Sequence, residues 1–287
     1  MPIDYEQLIN WKIPEVEQQL SKRDTMLYAL GTGLGSDPMD EKQLRFVYEK
    51  ELQALPTMAI ILGYPGPWHA RGNTGIDRNK VVHGEQGFVI HKPLPVEGAI
   101  VGRTRVTGIV DKGKDRGALL MTETRVFLAG ETEPVCTLNS TTFARADGGF
   151  CGPGGPLRPV HALPQTPPQY TCDLPTLPQQ ALIYRLSGDY NPLHAEPAYA
   201  QRAGFKMPIL HGRCTFGIAG HAILKTLCDY DPARFRSMEG RFSAPVYPGE
   251  TIRTEIWETG PRAAAFRCRV VERDAVVVGR GHAAFAA

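Results

Sequence analysis

Two stretches far apart in this chain read as copies of one another, and the repeat restricts the fold more than any other feature. Met26-Leu27-Tyr28-Ala29-Leu30-Gly31-Thr32-Gly33 aligns with Leu182-Ile183-Tyr184-Arg185-Leu186-Ser187-Gly188-Asp189. Later, Lys92-Pro93-Leu94-Pro95-Val96-Glu97-Gly98 aligns with Ala244-Pro245-Val246-Tyr247-Pro248-Gly249-Glu250. Strand-like runs follow each: 99–110, 118–128 and 135–144 in front, then 251–257, 264–271 and 275–285 behind. Phe266, Cys268 and Val270 alternate with Arg267, Arg269 and Val271, the period of two of a sheet with one covered face. Each copy is a helix-rich front section followed by antiparallel strands, so the chain is expected to form two tandem α+β units.

The boundary is marked by composition. Gly148 to Gln169 is crowded with Gly and Pro, which cannot continue a helix or a central strand. We therefore expect a front unit over 1–147, an extended linker over 148–169 and a second unit over 170–287. A chain of 287 residues is comfortable for two average domains. Inside the second unit, Thr215–Leu227 is apolar nearly all round and broken only by small residues such as Gly217, Ala219 and Gly220. Such a segment predicts a buried helix that a sheet can approach closely.

Charge and cysteine usage narrow the function. The net charge is +2 with no long run of one sign, which gives no footprint for nucleic acid or an anionic membrane. No apolar stretch reaches membrane-span length, and the N-terminus lacks a basic region followed by an apolar core. The six cysteines (136, 151, 172, 214, 228 and 268) show no Cys-x-x-Cys and no spacing suited to zinc. Reduced thiols in a cytoplasmic protein are expected, and Ala-Ala-Phe-Ala-Ala at the C-terminus is not a Ser-Lys-Leu address.

The chemistry concentrates in Tyr184–Ala200 and in Ile209-Leu210-His211-Gly212. Asp189 and His194 flank Asn191-Pro192, a turn-forming pair, which predicts an ordered loop and not one turn of helix. A loop of this kind can aim a carboxylate, a carboxamide and an imidazole at one small volume, where they would hold a water and move its protons. Gly212 precedes the apolar helix, so its N–H can donate to an oxygen gaining negative charge. In the front copy Gly33 and Pro38 stand where Asp189 and His194 would be, and neither transfers protons.

Position for position, Tyr184, Leu186, Ser187, Gly188, Asp189, Asn191, Pro192, Leu193, His194 and Ala200 resemble the signature of the MaoC-like (R)-specific enoyl-CoA hydratases, or hydratase 2. The continuation Ala203-Gly204-Phe205 and Pro208-Ile209-Leu210-His211-Gly212 is similar to the hydratase domain of peroxisomal multifunctional enzyme type 2. In front, His83-Gly84-Glu85-Gln86 is similar to a tetrapeptide in that enzyme's non-catalytic repeat. The resemblance covers nearly the whole chain and implies a double hot-dog fold, each unit an antiparallel sheet wrapped round a central helix. It implies hydration of a trans-2-enoyl-CoA to the (R)-3-hydroxyacyl-CoA, in fatty-acyl or steroid side-chain β-oxidation. Asp189, His194, Asn191 and Gly212 would be the catalytic set. No cofactor is expected, coenzyme A being part of the acyl-CoA substrate, and no metal. A homodimer is expected, although one double unit could complete its own sheet. A separate 3-hydroxyacyl-CoA dehydrogenase would take the product.

Three readings stay open on the same residues: a 3-hydroxyacyl-ACP dehydratase, a hot-dog thioesterase, and a non-catalytic acyl-CoA-binding subunit. Arg213, Arg241 and Lys206 are candidates for the phosphates of coenzyme A, and each reads equally well as a solvated charge. Arg213 stands where the relatives often have an apolar residue. His83, His211 and His221 are expected to be hydrogen-bonded structural histidines. The front unit would open room for a bulky acyl chain, or serve only as a structural partner.

Overall fold

The computed structural model describes residues 2–155 and 161–286. Its strands are β1 (Val16–Leu20), β2 (Val81–Ile90), β3 (Gly98–Asp111), β4 (Ala118–Leu128) and β5 (Cys136–Ala144) in the front half. The second half contributes β6 (Tyr170–Pro175), β7 (Phe235–Phe242), β8 (Thr251–Gly260), β9 (Ala263–Val270) and β10 (Ala275–Phe285). All ten join one sheet in the order β1-β3-β4-β5-β2-β7-β10-β9-β8-β6. Read inward from either edge, the two halves follow the same connectivity and meet at β2 and β7. That antiparallel seam pairs Phe88 with Met238 and Gly87 with Glu239. A Cβ on Gly87 would come within 3.0 Å of the Glu239 Cβ, so the seam closes this tightly because position 87 has no side chain.

The helices are α1 (Tyr5–Ile9), α2 (Lys22–Gly31), α3 (Glu41–Val47), α4 (Gln180–Tyr184), α5 (Pro197–Arg202) and α6 (Gly212–Cys228). The predicted central helix is α6, three residues longer at its start than the apolar run suggested. Phe216, Ile218, Ala219, Ile223 and Leu224 are all buried on it, as an all-round apolar helix requires. In the front half the corresponding space is filled differently. The six-residue 3-10 segment Pro56–Ile61 packs between β2, β5 and α6, and Pro56 to Ile60 are buried. A Cβ on Gly220 would sit 2.1 Å from Thr57 Cγ2, so α6 and this segment touch backbone to side chain. The double hot-dog thus has one long central helix shared by a continuous core in which Tyr28, Met58 and Phe88 join Phe216, Phe266 and Val278.

The repeated stretches face each other. Tyr28 on α2 and Tyr184 on α4, aligned residues in the two copies, have ring centroids 5.8 Å apart. Gln180 Nε2 donates to Gly31 O at 2.7 Å, and Cys214 Sγ donates to the same carbonyl at 3.2 Å. No helix among the described residues is long and apolar enough to cross a membrane.

Candidate active site

Gly188 makes the geometry of the loop available. It lies at φ +110°, a left-handed conformation that a side chain would strain, and it ends the 3-10 turn Arg185–Ser187. The chain then reverses so that Asp189 Oδ1 accepts from Asn191 N–H at 3.3 Å and Asn191 Oδ1 accepts from Leu193 N–H at 3.0 Å. Here the expectation of a loop without a helical turn needs correction. Pro192–His194 forms a single 3-10 turn, capped by Asn191, because proline's fixed φ suits the first helical position and its missing N–H costs nothing there. Asn191 is exposed and its carboxamide oxygen caps this turn.

His194 is 8 % exposed, and its Nδ1 lies 2.8 Å from Ile209 O. A carbonyl only accepts, so Nδ1 carries the proton and Nε2 presents a lone pair. His211 has the opposite tautomer: Nε2–H donates to Asp189 O at 3.0 Å, and its buried Nδ1 has no partner among the described residues. The two rings stack with centroids 3.7 Å apart and planes 26° apart. A carboxylate oxygen of Asp189 and one nitrogen each from His194 and His211 lie within 4.8 Å of one another. That is the span of one water making two hydrogen bonds of about 2.8 Å. The same donor set could also chelate a divalent ion.

Burial decides the charges. Desolvation would push the Asp189 carboxyl upward, but the neighbouring His211, Arg213 and His194 side chains outweigh it and hold it below the usual carboxylate range. Of these only Arg213 is charged at every working pH, because burial pushes His211 down to about 3 and His194 below its ordinary value. At neutral pH the site therefore rests as an aspartate anion beside two neutral imidazoles.

Gly212 is the first residue of α6, whose N-terminus has no side-chain cap. Among the described residues no protein acceptor takes the Gly212 N–H. The macrodipole of a 17-residue helix adds to its pull on negative charge. A Cβ at this position would touch the Phe242 ring at 3.4 Å, so glycine keeps the approach open.

The walls come from both halves. The Arg213 guanidinium lies 3.7 Å above the Tyr64 ring, and His83 packs 4.8 Å from Phe242. His83 Nε2 meets Ser140 Oγ at 3.1 Å, and burial pushes His83 down to about 3, with Arg213 adding to the effect. His83 is thus hydrogen-bonded as expected, and the electrostatic reach of Asp189 to it brings the front unit to the edge of the site. Of the expected coenzyme A contacts, Arg213 alone is tied electrostatically to the pair. Arg241 commits Nε and Nη2 to Glu85 at 2.8 and 2.6 Å, and Lys206 lies over the Tyr247 ring at 4.4 Å. His221 Nε2 meets the Tyr230 hydroxyl at 3.1 Å inside the core. Tyr64 and the His194–His211 stack carried no distinguishing sequence signal, since neither lies at a fixed local spacing from its partner. A polar depression lined by His69, Thr74, Asp77, Arg78 and Asp147 shares no residue with this site.

The chain is similar to known proteins over nearly its whole length. Residues 159–279 match the family described as MaoC like domain, and residues 19–146 match the MFE-2 hydratase 2 N-terminal domain. A protein named enoyl-CoA hydratase 2, peroxisomal, from Arabidopsis thaliana is 38% identical over 94% of this chain and 92% of its own length. Among solved structures, a MaoC-like dehydratase from Phytophthora capsici has a TM-score of 0.85 at 34% identity, covering 99% of this chain and 98% of that one. A Mycobacterium tuberculosis protein described as a double hotdog fold has a TM-score of 0.56 at 14% identity, a likeness of fold alone, covering 99% of each chain.

Proposed function

Because the chain belongs to the MaoC-like enoyl-CoA hydratase 2 family, we propose that it hydrates a trans-2-enoyl-CoA reversibly to the (R)-3-hydroxyacyl-CoA. The observation that carries this reading is the convergence of Asp189 and His194 on a space for one water, beside the uncapped N-terminus of α6.

The water bridges the Asp189 carboxylate and His194 Nε2. As its oxygen bonds to the β-carbon, one proton passes to the pair and the π electrons move to the thioester oxygen. Gly212 N–H stabilises that oxygen, a contact worth about 3–4 kcal/mol in other enzymes. The proton held by the pair then passes to the α-carbon, which restores the aspartate anion and the neutral imidazole. Both bonds form on the face where the pair lies. Positioning of the water and proton transfer account for the rate gain.

Residues 1–147 act as a non-catalytic unit that supplies a wall of the acyl site, 148–169 as linker, and 170–287 as the catalytic unit. Gly33 lies at φ +86° with nothing within 4 Å of where a Cβ would be, so the front copy of Asp189's position is open space. That emptiness supports a role in accommodating the acyl chain, straight or branched. The product is a secondary alcohol, the substrate class of a 3-hydroxyacyl-CoA dehydrogenase acting after this enzyme. We place the enzyme in the cytoplasm and expect a homodimer.

The test follows loss of conjugated enoyl absorbance with short and long trans-2-enoyl-CoA, beside Asp189→Asn, and offers the product to (R)- and (S)-specific dehydrogenases. Hydration that vanishes in the variant and yields the (R) product is expected. Free thiol release without hydration would make the protein a thioesterase. Turnover only with an acyl-carrier-protein thioester would make it a dehydratase of that carrier. Binding without turnover would make it an acyl-binding subunit.

A further inference from the structure

Among the described residues, one more group of side chains able to ligate a metal converges outside the active site. Glu239 on β7 and His282 on β10 are register partners in adjacent strands. Met238 and Ala283 beside them point into the core, so both side chains stand on the outer face of the sheet. Glu239 stands at the seam with β2, directly across from Gly87, which leaves the space over it clear of a side chain. His161 reaches this pair from the linker: its Nε2 lies 2.5 Å from Glu239 Oε1, and its ring stacks on His282 with centroids 4.3 Å apart and planes 12° apart. One oxygen of Glu239 and one nitrogen from each histidine lie within 4.8 Å of one another.

Two imidazoles and a carboxylate make a donor set that suits zinc and related divalent ions. Bonds of about 2.0–2.1 Å in a tetrahedron put ligand atoms about 3.3 Å apart, so the three donors need shifts of an ångström or so. Two of them sit on a rigid sheet. The third belongs to the linker, which is tied on either side of it: Pro153 O accepts from Asp111 N–H at 2.9 Å, and Thr166 O accepts from Trp257 Nε1–H at 2.8 Å. Between these two ties His161 is the described residue that joins the linker to the sheet. The three side chains are half-buried, which leaves room for a water as fourth ligand.

We propose that His161, Glu239 and His282 form a site for a zinc-type divalent cation that clamps the linker across the outer face of the sheet. The ion takes no part in the hydration chemistry. It closes the long connection between the two units, so that the linker is held at its middle as well as at its ends.

The test uses untagged, chelator-stripped full-length protein titrated with zinc chloride alone, read by calorimetry and by competition with a chromophoric chelator. One equivalent is expected to bind wild-type protein. In His161→Ala and in His282→Ala the affinity should fall at least about tenfold, since even outer-shell partners of a metal are worth about 10–100-fold. Zinc should also slow amide exchange in residues 161–169 of wild-type protein and not of either variant. Stoichiometric binding that survives in the His161→Ala/His282→Ala double variant would overturn the proposal and place the ion at Asp189, His194 and His211. Absence of saturable binding to wild-type protein would overturn it too. His161 lies in the linker and His282 on the outer face of the sheet, so both variants are expected to hydrate enoyl-CoA at the wild-type rate, which separates this test from that of the proposed function.

Discussion

His211 lies flat against His194, ring centroids 3.7 Å apart, while its Nε2–H donates to the backbone carbonyl of Asp189. One buried imidazole thereby touches both members of the proposed proton-transferring pair. His211→Phe keeps the stack and loses the hydrogen bond; His211→Ala loses both. Misplacement by about an ångström can cost about 100-fold, so kcat should drop about 10–100-fold in either variant with KM little changed. Steady-state kinetics on a medium-chain enoyl-CoA checks this. A parallel rise in KM of the same size would mean that His211 shapes binding and not the geometry of the pair.

The proposed oxyanion contact can be removed without breaking the helix. Gly212 is the first residue of α6, and His211 before it is already at φ −59°, ψ 135°, the conformation that a following proline demands. Gly212→Pro deletes the N–H and should lower kcat about 100- to 1,000-fold. Gly212→Ala controls for the Cβ contact with Phe242 at 3.4 Å and should lose much less. Equal losses in the two would assign the effect to crowding.

Arg213 is the permanent cation among the groups that hold Asp189 low. Arg213→Leu should therefore move the acid limb of the kcat/KM profile to higher pH, because the carboxyl is then easier to protonate. If Arg213 instead binds a phosphate of coenzyme A, KM rises at all pH values and the limb does not move.

Acid should weaken the fold before it protonates the exposed carboxylates. His211 and His221 are each 1% exposed, and burial pushes them down to about 3 and about 4. Their ordinary value is about 6.5, so below it the unfolded chain binds protons that the folded one refuses. Their contribution to stability is complete above about pH 6.5 and is lost as pH falls toward the folded values. Each costs about 1.4 kcal/mol per pH unit in that window. Urea unfolding between pH 7.5 and 4.5 measures the slope, and His221→Gln should reduce it by one proton's worth.

Much of the architecture was legible because it rests on local patterns. The all-round apolar run gave α6, alternation gave β8 to β10, and the Gly and Pro crowding falls where the described residues form no helix or strand between β5 and β6. The part of that linker at 156–160 lies outside the described residues. What the pattern hid was non-local. Strand β1 is Val-Glu-Gln-Gln-Leu, polar enough at its centre to pass for a loop, and it earns its place only as an edge beside β3. Strand β2 carries Gly84 and Gly87, which depress strand propensity, yet both lie where another backbone comes close. The Pro56–Ile61 segment has the apolar content of a buried helix, but nothing in it announces so short a run. At the proposed site, the convergence of Asp189 and His194 and the place of Gly212 at the start of α6 were legible through local spacing. The commitment of Arg241 to Glu85 depends on β2 lying beside β7, which no local pattern encodes.

The sheet reads alike from both edges, as a pair of identical subunits would, yet one covalent chain holds both halves. In a true homodimer every substitution is made twice, so neither copy could give up its acid–base pair without disarming the other. Joining the copies end to end removes that constraint. On the proposed roles of Asp189 and His194, Gly33 and Pro38 can stand at the matching positions of the other half without loss of the reaction. Asymmetry of this sort is available only to a molecule whose two faces are spelled out separately.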